Sequence, residues 1–383
     1  MKTTIFLVNL VAVFIGVSYG MHGPILPVFA KNVIGATYTE LGLIGLANFL
    51  PYMFIPIFVG ILLDKYNNAH LLSVGILINS ASLYLLSIAQ TVPEVMVFRV
   101  MTGVAHAFFW PPCESIISSV SKGHARVKNI AKFTGFFVAG FTIGPLLGSL
   151  FLESFDVSYR LLFQFAAFIL AAAIIASLSL SKKHIHKNDT KFSFSAIKEM
   201  RRFPEIIIML VYCTASFGII LTIYPAFLDD NSISGVQIEI LYFIFGVSRI
   251  LTLLVAGKLA RKMSHTLIAA VLSIAFGLLV SFGAGNIFEF AIAMLLMGFG
   301  FSIFFPLTLE IVLSKTKKTI SGTIIGAYET TFGIGWTVGP IIAGILSQFQ
   351  DNTAPYLVFF ILGIGIAILS TIRRKSLEPQ NLP

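Results

Sequence analysis

The sequence predicts an all-α integral membrane protein: twelve transmembrane helices in two pseudo-symmetric six-helix bundles. Three observations lead there. Hydrophobic residues make up 57% of the 383 and charged residues only 11%, against roughly 25% charged in soluble domains. Landmarks of the first half also recur, in the same order, about 195 residues later. Basic residues, finally, crowd into alternate loops.

A span needs about 20 mostly apolar residues to cross roughly 30 Å of hydrocarbon. Twelve stretches qualify, at about 4–29, 40–63, 70–90, 94–118, 130–152, 160–180, 205–228, 238–257, 266–285, 288–313, 322–347 and 355–372. Lipid offers backbone groups no water partner, so each is expected to be a helix. The one long polar stretch, SKKHIHKNDTKFSFSAIKEMRRFP, separates spans six and seven. It divides the chain into a first bundle at 1–181, a cytoplasmic linker at 182–203 and a second bundle at 204–383.

The repeat supports that division. Gly140 heads GFTIGPLLGS and Gly335 heads GWTVGPIIAG; Gly103 and Pro111 return as Gly298 and Pro306. Gly60 opens GILLDK and Gly257 opens GKLARK, at an offset of 197. Two copies of one half in so apolar a chain is a common construction among secondary transporters.

Charge orients the spans. Alternate loops hold 22 of the 26 Lys and Arg residues, seven of them between 182 and 202. The opposite loops hold only Lys31 and Arg160 among basic residues. They collect the acids instead: Glu40, Glu94, Glu153, Asp156, Asp229, Asp230, Glu239, Glu289 and Asp351. The positive-inside rule then places both termini in the cytoplasm, as an even number of spans requires. The net charge of +9 is thus a topology signal, and no basic face interleaved with aromatics points to nucleic acid. Cys113 and Cys213 have no metal-ligand spacing and are expected to be packing residues. No GxxxxGK[ST] loop is present to drive ATP hydrolysis. No metal or cofactor is expected, and no enzyme activity.

The segment after span two, with Gly60, Leu62, Asp64 and Lys65, matches G-x-L-A-D-R-x-G-R-K in part. Asn67 stands where a second glycine is usual, and Asn tolerates the left-handed backbone of a tight turn. Span four carries Arg99 and Gly103 as R-x-x-x-G; span five carries Gly140, Gly144, Pro145 and Gly148 as G-x-x-x-G-P-x-x-G. On these motifs the whole chain resembles the major facilitator superfamily. The resemblance implies that family's twelve-helix fold and alternating access, with a central cavity lined mainly by spans one, four, seven and ten. In the family the span-five motif is associated with antiporters that export small molecules in exchange for protons. Physically, glycines four apart let two helices approach closely, and Pro145 removes a donor and bends the helix there.

Ionisable residues inside a span cost roughly 2.5–3.5 kcal/mol by insertion scales, so each calls for a reason. Glu329 lies about 12 Å from the inner end of span eleven at 1.5 Å per residue, and Arg249 lies at similar depth in span eight. The pair is the leading candidate for a coupled proton site. Arg99, His106 and His22 are further proton-coupling candidates, Arg99 also being able to snorkel outward. Glu114 and Glu310, shortly after Pro111 and Pro306, are expected to latch the cytoplasmic side by pairing with Lys65 and with Lys258 or Arg261. Tyr19, Tyr224, Tyr328 and Trp336 join an apolar body to a polar tip and are candidates to line the cavity.

The expected function is secondary transport: proton-driven export of a small organic molecule by a monomer in the cell membrane. A proton-linked importer or a uniporter on the same fold is the alternative. A membrane sensor would need a soluble output domain, and the loops leave no room for one.

Overall fold

The computed structural model describes residues 2–63, 65–121, 123–154, 158–180, 201–315 and 321–378, and every regular element among them is helical. Asp64, Lys122, Asp156 and most of the expected linker lie outside the described residues. The first half runs α1 (Lys2–His22), α2 (Ile25–Asn32), α3 (Tyr38–Leu63), α4 (Asn68–Ile88), α5 (Val92–Ala107), α6 (Trp110–Val120), α7 (Gly123–Ser154) and α8 (Tyr159–Leu178). The second runs α9 (Pro204–Thr222), α10 (Tyr224–Asp230), α11 (Gly235–Leu259), α12 (Met263–Gly283), α13 (Ile287–Ser314), α14 (Ser321–Phe349) and α15 (Ala354–Ile372).

Among the described residues, ten helical stretches are long and apolar enough to cross a membrane. One of these, Gly235–Gly283, is α11 and α12 joined at the turn Ala260–Lys262, and the 26-residue α3 completes twelve spans. Spans one, four and seven, expected as single helices, are each broken in two. A proline stands at each break. Pro24 caps the start of α2, and Pro111 and Pro225 fall in the first turns of α6 and α10, where the missing N–H leaves no bond unmade. Pro145, Pro306 and Pro340 instead sit inside unbroken helices.

Asn67 also departs from its expected role. At φ −67° and ψ 121° its backbone is extended, not left-handed, and its side chain accepts from the Ala69 N–H at 2.9 Å. It caps α4, where side-chain oxygens of Asn are favoured because they satisfy an orphan N–H.

The described residues fall into two compact units, one of 1–36, 47–190 and 234–243, the other of 37–46, 191–233 and 244–383. In the first unit the heaviest helix pairs are α1 with α7, α4 with α8, α1 with α8 and α4 with α5. In the second they are α12 with α13, α9 with α14 and α12 with α15. Read as spans, one–five, three–six and three–four recur as seven–eleven, nine–twelve and nine–ten, while the one–six pair is extensive only in the first unit. The sequence repeat is in large part a packing repeat. At one end of the second unit Arg373 Nη1 donates to Glu205 Oε1 at 2.8 Å, tying the end of α15 to the start of α9.

Candidate functional site

A close backbone seam of the first unit is built by the span-five motif. A methyl carbon on Gly140 would lie 2.5 Å from the Val13 carbonyl oxygen and 3.0 Å from the Val17 nitrogen. One on Gly144 would lie 2.7 Å from the Met21 nitrogen and 2.8 Å from the Gly20 Cα. Both are backbone contacts between α7 and α1, so no rotamer change can relieve them. The second unit repeats the seam: a methyl carbon on Gly335 would lie 2.7 Å from the Val211 carbonyl oxygen, and one on Gly339 2.7 Å from the Ala215 Cα. Helices this close associate through backbone packing and weak Cα–H···O contacts rather than through side chains.

Beside the seam, the first unit gathers a polar cluster. His106, on α5, has its Nδ1 3.0 Å from the Tyr19 hydroxyl, and its Nε2 is 3.2 Å from the Trp110 indole nitrogen. An indole N–H can only donate, so Nε2 accepts and the proton sits on Nδ1, which donates to Tyr19. The geometry specifies a neutral imidazole of one tautomer. Tyr19 and Tyr52 flank the ring edge-on, at centroid distances of 5.2 and 5.1 Å. Arg99 acts electrostatically on Tyr19, His22 and His106, and its Nε is buried. His22 is buried, with its Nδ1 bonded to the Ser18 carbonyl. His22 Nε2, Arg99 Nε and Asn79 Oδ1 are all buried without a hydrogen-bond partner. Buried polar atoms are normally partnered, so three orphans near one ring system mark a place that receives a polar group.

The second unit holds an aromatic counterpart. The Arg249 guanidinium lies 5.5 Å from the ring centroids of both Phe217 and Phe245, a cation–π arrangement that holds the charge in an apolar setting. Phe217 in turn neighbours Phe301 and Trp336, at 4.9 and 6.1 Å. Glu329 lies on α14, but its side chain is outside the described residues.

Of the four expected cavity residues, Tyr19 and Trp336 are half-buried beside these clusters. Tyr224 and Tyr328 are wholly buried packing residues. The Tyr224 hydroxyl bonds Ser281 at 2.7 Å and the Tyr328 hydroxyl bonds Thr308 at 2.6 Å. Each polar tip finds a partner in the core, which removes the need for a wet face. Glu114, Glu310 and Lys65, expected as latches, are exposed, and none of the ion pairs among the described residues joins them to each other or to Lys258 or Arg261. Cys113 and Cys213 are buried and unbridged.

The sequence reading missed two features. Tyr52 and Trp110 complete the His106 cluster, and a Trp four residues after a His on adjoining helical turns was the available signal. Glu239, placed by its charge among the outer-loop acids, is fully buried in α11.

Two pseudo-symmetric bundles of apolar helices, with charged groups held between aromatic rings in their interiors, have the architecture of a multi-pass membrane transporter. The sequence pattern of the Major Facilitator Superfamily matches residues 8–263 and 206–383, and the chain belongs to that family. It is 25% identical to the Quinolone resistance protein NorA of Staphylococcus aureus (strain MRSA252) over 98% of this chain and 97% of that one. It is 24% identical to an uncharacterized MFS-type transporter of Methanocaldococcus jannaschii over 92% and 94% of the two chains. Among solved structures, the nucleoside transporter NupG superposes with a TM-score of 0.79 at 14% identity, covering 97% of this chain and 99% of that one. A peptide transporter, POT, gives 0.80 at 12% identity, covering 97% and 95%.

Proposed function

We propose that the protein exports a small organic molecule from the cell in exchange for protons. It works as a monomer in the cell membrane with both termini cytoplasmic, by alternating access between the halves 1–181 and 204–383. The observation that carries this reading is the α1–α7 seam: the antiporter-type motif of span five is present in sequence and is used for backbone contact at Gly140 and Gly144. The full-length similarity to a quinolone resistance protein supports the direction and makes a quinolone the first compound to try.

In this reading substrate and proton favour opposite-facing states, because a ligand shifts an equilibrium only through its differential affinity for the two. Glu329 with Arg249 is the proton site. Arg249 is held by Phe217, whose ring lies beside Trp336 of the same helix as Glu329. The His106–Tyr19–Arg99 cluster receives the polar end of the substrate, and Tyr52 and Trp110 offer ring faces to its apolar part.

The test uses inverted membrane vesicles, acidified inside, with a fluorescent pH reporter and norfloxacin as the added quinolone. Loss of the gradient on addition, abolished by Glu329→Gln, is the expected result. Binding of the compound to purified protein with the gradient left intact would overturn proton-coupled export.

A further inference from the structure

Glu239 is 0% exposed, and neither of its carboxylate oxygens has a hydrogen-bond partner. It lies on the part of α11 that the charge pattern places at the outer side of the membrane. Its carboxyl sits against Gly148, the last glycine of the span-five motif. A methyl carbon on Gly148 would fall 2.6 Å from Glu239 Oε1 and 2.9 Å from its Cδ, with the Met21 carbonyl oxygen at 3.3 Å. The absent side chain at 148 is the space the carboxyl occupies.

The internal repeat shows that packing alone does not require an acid here. Gly60 and Gly257 set an offset of 197, which makes Gly42 of α3 the counterpart of Glu239. Contacts confirm this register: Gly103 is set against the Asn48 carbonyl, and Gly298, its repeat, against the Phe245 carbonyl, 197 residues on from Asn48. Ala343 repeats Gly148, and it is the next residue, Gly344, that closes on Gly42: a methyl carbon on Gly344 would lie 3.2 Å from the Gly42 Cα. One copy of the joint thus closes on a glycine, with no acid. The other closes glycine on a buried carboxyl.

The ionisable groups at the outer ends of the elements packed around Glu239 are His22 and, one turn further in, Tyr19 on α1, Lys31 on α2, Glu153 on α7, and Tyr159 and Arg160 on α8. None bonds or pairs with it. Arg160 is committed to the Ser87 carbonyl at 2.8 Å and lies over the Phe29 ring. A charged carboxylate buried with no partner is among the costliest arrangements a protein can hold. The joint as built accommodates the uncharged acid.

We propose that Glu239 is a second proton-carrying group, closed in its neutral form against Gly148 and exchanging its proton with the outer medium when α11 parts from α7. The proposal deepens the proton-coupled reading and rests on it for its role in transport. In effect, the last glycine of the span-five motif is a seat for a protonated side chain.

The experiment uses the full-length protein in proteoliposomes. Infrared titration looks for the C=O band of a protonated carboxylic acid at neutral pH, in wild type, Glu239→Gln and the exposed-acid control Glu289→Gln. In parallel, norfloxacin uptake is driven by a pH gradient, and norfloxacin–norfloxacin exchange is measured without one. The expected result is a band present in wild type and E289Q and missing in E239Q. Gradient-driven uptake by E239Q should fall to the level of protein-free liposomes, while exchange persists. A wild type without the band, or E239Q that accumulates norfloxacin as wild type does, overturns the proposal. Should wild type ignore the pH gradient, the proton-coupled reading fails on its own. The infrared band then decides Glu239: its loss in E239Q upholds the neutral buried acid, and its absence from wild type overturns it.

Discussion

Replacing Gly140 with alanine tests whether the α1–α7 seam is a backbone contact. The new methyl would lie 2.5 Å from the Val13 carbonyl oxygen, where ordinary contact begins at 3.4 Å. Its other near neighbours, the Val17 nitrogen and the Gly16 Cα, are also backbone, so the helices must part by about 1 Å in an interior packed like a crystal. Overpacking of this kind costs about 1–3 kcal/mol. Against that stands the gain of about 1 kcal/mol that Gly→Ala brings in a helix interior. Gly135→Ala, on the same helix with nothing within 4 Å of its new methyl, carries the gain without the clash. The difference between the two variants therefore isolates the seam. Unfolding by titrated denaturing detergent in mixed micelles should place G140A about 1–3 kcal/mol below G135A. A difference under about 0.5 kcal/mol, the ordinary scatter of surface substitutions, would refute the close approach.

Two further outcomes follow from single groups. Tyr224→Phe removes the hydroxyl that meets Ser281, whose own proton is committed to the Gly277 carbonyl; the same unfolding assay should show a loss of about 1 kcal/mol with norfloxacin affinity unchanged, and a lost affinity would return Tyr224 to the cavity. Asp351, in the turn before α15, accepts from both the N–H and the hydroxyl of Thr353 at 2.7 Å, and these bonds hold its carboxyl below the ordinary carboxylate range. Because the folded value is the lower one, this contribution is complete above the unfolded carboxylate value and is lost as pH falls through the folded one. Hydrogen exchange, corrected for its intrinsic pH dependence, should show the Thr353 amide losing protection on acidification, and Asp351→Asn should abolish that pH dependence.

The helix count, the repeat and the seam were legible because each is written in residue type. Long apolar runs admit only helices in lipid, and Gly140 and Gly144 state by their spacing that something must come close. The breaks in spans one, four and seven were not legible. Proline opens α6 and α10 yet runs through α7 and α14 at Pro145 and Pro340, and only neighbouring helices decide which. Hydroxyls are ambiguous for a related reason. Tyr224 and Tyr328 have polar tips that suit a wet surface, but Ser281 and Thr308 on other helices satisfy them in the core. The charge of Glu239 points to a loop, because a sequence cannot show that Gly148 leaves room for it. The Glu329–Arg249 pairing remains a proposal drawn from depth and charge.

The bond between Trp110 and His106 makes the protein its own fluorimeter. The chain has two tryptophans, Trp110 in the first unit and Trp336 in the second. Trp336→Phe leaves one emitter, its indole proton resting on the imidazole nitrogen that a second proton would claim. Any event that charges His106, or draws it away with a bound molecule, must break that bond and change the emission of Trp110. Occupancy of the cluster can then be followed by light alone, with no label and before any substrate is known.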